Sequence, residues 1–288
     1  MGVDCGVSFR DAQGCCPAMT QWKDYPLADT GEPGQVTLRV CSAVRSPELR
    51  NSRDILVALP PGYQDGAEAH PVIYMQDGQN LFDPATSFAG DWGLVPGLNA
   101  FPAGDPAPIL VGIPNTGRRR RYEYSPFRDI IHGGGGGDRY LAFVVETVKP
   151  LVDASFRTRT ERRHTGIAGS SLGGLISLSG LYRYPDVFAA AGVLSPALWF
   201  ADGAMLRYLE EMAPLAGGRI YLDVGTAEGE EALLDVRRLR DWLVARGLAN
   251  PENLSYLEDE GAGHVEEAWG GRLLAAVPFL LGSPGATV

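Results

Sequence analysis

One stretch constrains this chain more than any other: Thr165-Gly166-Ile167-Ala168-Gly169-Ser170-Ser171-Leu172-Gly173-Gly174-Leu175-Ile176. A short apolar segment runs through Gly-x-Ser-x-Gly into a small-residue helical pattern. A serine at the tip of a sharp strand-to-helix bend needs glycine two residues before it and two after, because a Cβ at either place would clash where strand and helix nearly touch. Only Ser171 meets that spacing; Ser170 fails because Ala168 stands two residues before it. The spacing alone is weakly specific in a chain with 37 glycines, so the flanks decide. Residues 165–168 read as a buried strand end, and Leu172, Leu175, Ile176, Leu178 and Leu181 give the following segment the pattern of a buried helix.

The rest of the chain supplies the elements such a bend requires. Alternating residues at 36–44 and a β-like run at 54–59, separated by turn signals, predict an antiparallel pair. Wholly apolar runs at 71–75 and 108–113 suit parallel strands buried on both faces. Further strands are expected at 189–194, 219–224 and 254–257. Helices are expected at 138–152, 204–212, 231–246 and 265–281, with Asp138 a candidate cap and Pro150 an obstacle to the last turn of the first. Strands alternating with helices imply an α/β fold with a mostly parallel, eight-stranded sheet covered by helices on both faces. With 288 residues and 45% hydrophobic content, the simplest division is an N-terminal extension, 1–35, and one domain, 36–288. Only residues 195–218 separate two of the strands where a lid could be inserted, so no separate cap domain is expected and the cleft should be open.

A serine hydroxyl needs a base within hydrogen-bond reach. Of four histidines, His70 and His164 precede strands, and His132 borders the five-glycine run 133–137. His264 alone follows the last strand, at the edge where the Ser171 side chain would emerge. The acid that orients it should lie just past strand 219–224. Glu228 is the first choice, with Asp223, Glu230, Glu231 and Asp235 as alternatives. Developing oxyanion charge needs fixed donors: the Leu172 N–H at the helix start, and the Gln79 N–H in the Asp77-Gly78-Gln79 turn after strand 71–75.

Several stretches then carry a family resemblance: Leu59-Pro60-Pro61-Gly62-Tyr63, Tyr74 to Asp83 (YMQDGQNLFD), Gly169-Ser170-Ser171-Leu172-Gly173-Gly174, Ser195 to Phe200 (SPALWF), and Gly263 to Trp269 (GHVEEAW). From about Val36 onward the chain resembles the Putative esterase family of α/β-hydrolases. That family includes enterochelin-esterase-like proteins, feruloyl and other carbohydrate esterases, S-formylglutathione hydrolase and the mycolyltransferases. The resemblance implies a cofactor-independent serine esterase with Ser171 as nucleophile, His264 as base, Glu228 at the acidic position and Gln79 and Leu172 as oxyanion donors. An acyltransferase on the same fold, or a binding protein that kept the fold and lost the activity, are the other readings. Residues 1–35 take no part in the resemblance.

Trp92, Tyr124, Trp199 and Trp269 lie in or beside loops on the catalytic edge and are candidates to line the cleft. The basic run Arg118-Arg119-Arg120-Arg121 should sit on the same side. Arg119 and Arg120 are candidates for an anionic substrate group, held by bidentate donation, against the plainer reading of ion pairs with Glu123, Asp129 and other loop acids.

A small-molecule ester is the expected partner. A formal net charge of −10 argues against nucleic acid or an anionic membrane, and no motif calls for a metal or cofactor: there is no HExxH and no CxxC pair. No apolar run is long enough to span a bilayer, and the first 30 residues lack the apolar stretch of a signal peptide, so a cytoplasmic location is expected. All four cysteines, Cys5, Cys15, Cys16 and Cys41, fall within the first 41 residues; free thiols are expected, with a disulfide from Cys5 to Cys15 or Cys16 as the alternative.

Overall fold

A computed structural model describes residues 21–27, 35–101, 107–213, 215, 217–248 and 250–283. Strands β1 (Trp22–Asp24), β2 (Thr37–Ser46), β3 (Asn51–Leu59), β4 (Val72–Gln76) and β5 (Ile109–Ile113) form the first half of the main sheet. A small ribbon, β6 (Arg128–Asp129) and β7 (Gly133–Gly134), stands apart from it. The second half is β8 (Thr165–Ser170), β9 (Ala190–Leu194), β10 (Arg219–Gly225) and β11 (Leu254–Asp259). The main sheet runs in the order β1-β2-β3-β5-β4-β8-β9-β10-β11. Its first three pairings are antiparallel, and every pairing from β5 to β11 is parallel.

The α/β architecture is the expected one, with one strand more than the eight read from the sequence. The extra strand is β1, which pairs Trp22 with Cys41, Lys23 with Val40 and Asp24 with Arg39. Three residues, two of them charged, carry too little alternation to be read as a strand. Cys41 is a buried free thiol on β2; Cys5, Cys15 and Cys16 lie outside the described residues.

The helices are α1 (Leu94–Asn99), α2 (Arg120–Glu123), α3 (Gly137–Ala142), α4 (Lys149–Ser155), α5 (Leu172–Arg183), α6 (Phe200–Glu211), α7 (Glu230–Ala245) and α8 (Glu266–Leu281). β4, β5, β8 and β9 are buried at every residue, which is what helices on both faces demand and why β5 and β9 are unbroken runs of apolar and small residues, with polar residues on β4 and β8 only at their ends. Alternate residues feed two cores. Tyr74, Val111, Ile167 and Val193 pack with α3 to α7, while Ile73, Met75, Leu110 and Ala168 pack with α1 and α8.

The helix expected at 138–152 is α3 and α4 joined by a widened turn, Phe143–Val148. The wide turn accommodates Pro150, which has no N–H to give and would crowd a regular preceding turn. The N-cap is Gly136, and Asp138 instead pairs with Arg183 at 2.8 Å. Among the described residues between β9 and β10 lies α6, bent at Ala201–Gly203 where the backbone turns left-handed, and no separate cap domain. Among the described residues no helix is long and apolar enough to cross a membrane.

In a parallel sheet all strands point their C-terminal ends one way, so the loops after β4, β5, β8, β9, β10 and β11 gather at a single edge. That edge carries Asp77, Asn115, Ser171, Ser195, Glu228 and His264.

Candidate active site

Ser171 follows directly on β8 and precedes α5, and its backbone sits at φ 57°, ψ −122°, a region that side chains other than glycine rarely enter. Its surroundings enforce the turn: its N–H donates to the Leu194 carbonyl at 2.9 Å, and its carbonyl accepts from the N–H groups of Leu175 (3.1 Å) and Ala197 (3.0 Å). A Cβ on Gly169 would come within 2.7 Å of Gln76 Cγ and 2.9 Å of the Gly173 carbonyl carbon. The glycine requirement is therefore partly the close approach of β8 to α5 that the spacing implied and partly the Gln76 side chain of β4, which also lies 3.0 Å from a Cβ on Gly173. Leu172 opens α5, where first-turn N–H groups have no acceptor within the helix.

Glu228 closes a short helical turn, Thr226–Glu228, after β10, and His264 lies in the loop after β11. The two loops are laced together by Ala227 N–H to the Ala262 carbonyl (3.0 Å) and Gly261 N–H to Thr226 Oγ1 (2.8 Å). His264 Nδ1 and Glu228 Oε2 are 2.7 Å apart. The Glu228 carboxylate is 2% exposed and the imidazole 45%, so the pair has one buried end and one open to the cleft. Trp269 meets the His264 ring edge to face at a centroid distance of 4.7 Å.

Glu228 Oε1 accepts from Ser195 Oγ–H (2.6 Å) and Gly225 N–H (2.8 Å). Burial would raise the Glu228 pKa, but the hydrogen bonds from His264, Ser195 and Gly225 outweigh it and hold the carboxyl below its ordinary value. Ser195 Oγ in turn accepts from Trp269 Nε1 and from Arg272 Nη2, both at 3.0 Å. Arg272, buried on α8, lies 3.2 Å from Asp223 Oδ2 and 3.7 Å from Glu228 Oε1. Burial pushes the Asp223 carboxyl up, to about 7, against the pull of Arg272. Asp223, the alternative acid inside the strand, thus faces the arginine and not His264.

The turn after β4 is equally fixed. Asp77 is left-handed at φ 54°, its N–H donates to Tyr124 Oη at 2.9 Å, and its carboxylate accepts Arg120 Nε (2.8 Å), Arg120 Nη2 (2.7 Å) and Asn115 Nδ2 (2.6 Å). A Cβ on Gly78 would lie 2.5 Å from Gly112 C and Ile113 N, so glycine is what lets this turn lie against β5. Gln79 follows, its Oε1 accepting the Asn115 N–H at 3.0 Å.

Ser171, His264 and Gln79 line one cleft of about 700 Å³, together with Trp92, Trp269 and Arg120 among the sequence-predicted residues. Trp92 and Trp269 are buried beneath it, their ring centroids 5.9 Å apart. Three expectations need correction. Tyr124 is wholly buried and supports Asp77 from behind, because its hydroxyl is the acceptor that the strained turn needs. Trp199 lies outside the cleft, 57% exposed, edge-on to His132 at 5.5 Å. Arg119 also lies outside it, over the Tyr122 ring at 5.6 Å. Arg120 reaches the cleft with its guanidinium already forked onto Asp77, not onto Glu123 or Asp129. Glu123 pairs with Arg53 at 2.9 Å instead.

Sequence reasoning missed Phe88, which lines the cleft with 94% of its surface exposed, and the buried Ser195 and Arg272. Arg272 had a signal: it is the one charged residue after the first turn of an otherwise apolar α8. Phe88 had none, standing in a polar loop without periodicity.

A strained serine between a parallel strand and a helix, with histidine and acid on later loops of the same sheet edge, defines the α/β-hydrolase class. Residues 46–280 match the family described as Putative esterase. The chain belongs to that family. It is 25% identical over 257 residues to the uncharacterized protein YbbA of Bacillus subtilis, covering 84% of this chain and 98% of YbbA. It is 33% identical over 209 residues to the siderophore enterobactin esterase of Emericella nidulans, covering 65% of this chain and 66% of that one. Among solved structures, the IroE-like serine hydrolase from Shewanella oneidensis shares the fold at a TM-score of 0.67 and 22% identity, over 86% of this chain and 79% of that one.

Proposed function

We propose that this protein is a serine esterase that hydrolyses carboxylic esters through an acyl-enzyme on Ser171. The observation that carries the reading is the His264 Nδ1 to Glu228 Oε2 contact of 2.7 Å in the same cleft as a serine at φ 57°. With Nδ1–H committed to Glu228, Nε2 is the ring nitrogen left to take the Ser171 proton. Ser171 Oγ attacks the ester carbonyl, and the oxyanion is received by the N–H groups of Leu172 and Gln79. The imidazolium, stabilised by Glu228, returns its proton to the departing alkoxide. Water, deprotonated by His264, then attacks the acyl-enzyme; the tetrahedral intermediate collapses, the carboxylic acid leaves and Ser171 regains its proton.

Trp92, Trp269 and Phe88 give the cleft an aromatic lining, and among the described residues no cap closes it, which suits an ester with bulky portions. The relative from Emericella nidulans is a siderophore enterobactin esterase, so siderophore esters are the first natural class to assay. The test is hydrolysis of short-chain p-nitrophenyl esters by the wild type and by Ser171→Ala, with folding checked by circular dichroism. Activity should vanish in the variant. Activity that persists in folded Ser171→Ala would refute Ser171 as nucleophile.

A further inference from the structure

The four consecutive arginines after β5 divide in the folded chain. Arg120 turns inward onto Asp77, and Arg119 lies over Tyr122. Arg118 and Arg121 are exposed and take no carboxylate partner among the described residues. Across from them the β6–β7 ribbon adds Arg128, which likewise has no carboxylate partner there, and His132. Arg118, Arg121, Arg128 and His132 line one groove of about 690 Å³, floored by Tyr122 and the backbone of the glycine run. Arg118 also lines the cleft that holds Ser171, so groove and cleft adjoin.

Among the described residues no carboxylate lines the groove. Of the acids on the neighbouring elements, Asp129 sits beside the groove with Oδ1 accepting the N–H groups of Ile131 and His132, Glu123 is buried against Arg53, and Asp138 pairs with Arg183. In a chain of net charge −10, most arginines can find a local carboxylate. Three that gather around one concavity without an ion-pair partner among the described residues repel one another, and an anion supplied from outside relieves that repulsion.

We propose that this groove is a second subsite, which binds a carboxylate on the part of the ester substrate remote from the scissile bond. The proposal rests on the reading of the Ser171 cleft as an ester-hydrolysing site and adds a specificity to it: esters with an acidic arm are preferred, the arm passing Arg118 and ending between Arg121 and Arg128. The guanidinium fork matches a carboxylate in two parallel hydrogen bonds, which a neutral amide cannot reproduce.

The experiment compares two p-nitrophenyl esters of one straight-chain diacid, the far end a carboxylate in one and a carboxamide in the other. At low salt the wild type should favour the carboxylate ester by about tenfold in kcat/KM, mostly through KM. That preference should fall to near one in Arg121→Gln/Arg128→Gln and in 0.5 M salt, and should partly persist in Arg121→Lys/Arg128→Lys. Equal kcat/KM for the two esters in the wild type, or a preference unchanged in the Gln pair, overturns the subsite while leaving Ser171-dependent hydrolysis of the carboxamide ester intact. Calorimetric binding of both esters to Ser171→Ala reads the subsite without turnover. Equal affinity there refutes it; about tenfold tighter binding of the carboxylate supports it even if the wild type hydrolyses neither, the outcome that would sink the esterase reading instead.

Discussion

Replacing Glu228 with glutamine tests the proposed site at the point where geometry predicts most. Glu228 Oε1 holds Gly225 N–H and Ser195 Oγ–H, and Oε2 faces His264 Nδ1. A glutamine can keep its carbonyl on the Oε1 side, which presents its NH₂ to Nδ1. The imidazole must then accept at Nδ1 and carry its proton on Nε2, the tautomer that cannot take a proton from Ser171. The lost charge adds to this. Unit charges about 4 Å apart at an effective dielectric of about 20 attract by about 4 kcal/mol, and the half-exposed imidazole reduces that to about 3 kcal/mol through solvent screening. Such a loss of transition-state stabilisation corresponds to about 10² in kcat, and the wrong tautomer brings the expected fall to about 10²–10³. The assay is kcat/KM on p-nitrophenyl acetate from pH 6 to 9, with wild type and Glu228→Gln matched for fold. A variant within threefold of wild type throughout would refute the role and leave a Ser171–His264 pair acting alone. Stability gives a second readout. The carboxyl pKa is lowered in the fold, so its contribution is complete above the unfolded value of about 4.3 and is lost as pH falls through the folded value. The Tm gap between wild type and Glu228→Gln should therefore narrow below about pH 4.

Three further perturbations probe the supports. Arg272→Leu leaves Asp223 and Glu228 buried together without their cation and should cost about 3 kcal/mol. Because burial already raises Asp223, whose proton the folded state then favours, the loss should be larger at pH 8 than at pH 5; a Tm difference independent of pH would contradict this. Ser171→Gly removes the side chain from φ 57° and should stabilise the inactive protein by about 1 kcal/mol, read as a higher Tm; a lower Tm would mean the elbow is unstrained. Gly78→Ala drives a Cβ into β5 backbone and should lower stability by about 2 kcal/mol and kcat by tenfold or more, whereas an unchanged kcat would show that the Asp77–Gln79 turn does not position an oxyanion donor.

The fold was legible wherever burial imposed a pattern. β4, β5 and β9 read as apolar runs because helices cover both faces, and α7 reads at helical spacing because Val236, Leu239 and Leu243 meet the core on one side. What stayed hidden has no such pattern. β1 is three residues held by backbone pairing with β2, by Asp24 on Arg39 and by Trp22 against Phe156, contacts distant in sequence that leave no local pattern. The bend in α6 comes from left-handed Ala201, Asp202 and Gly203, of which Ala201 carries no signal for it.

The site was legible where chemistry restricts residue type and obscure where only direction matters. A nucleophile elbow needs glycines, and a base on the right sheet edge leaves one histidine of four, so Ser171 and His264 follow from topology. A side chain's heading does not. Tyr124, Trp199 and Arg119 all stand in loops on the correct edge, yet one points into the core to hold Asp77, one packs on His132 and one covers Tyr122. The same holds beneath Glu228. Ser195 Oγ accepts hydrogen bonds from Trp269 and Arg272 and donates one to Glu228, so three residues distant in sequence act as a single support for the imidazole's partner. Ser195 is itself held at φ 40° by two hydrogen bonds from its N–H to Asp223, one to the backbone carbonyl and one to the carboxylate. Strain at Asp77, Ser171 and Ser195 therefore falls where β4, β8 and β9 end, at the edge where the cleft opens. Each strained residue is anchored by hydrogen bonds from a neighbouring loop or strand, and that arrangement fixes the direction of groups that sequence alone leaves free.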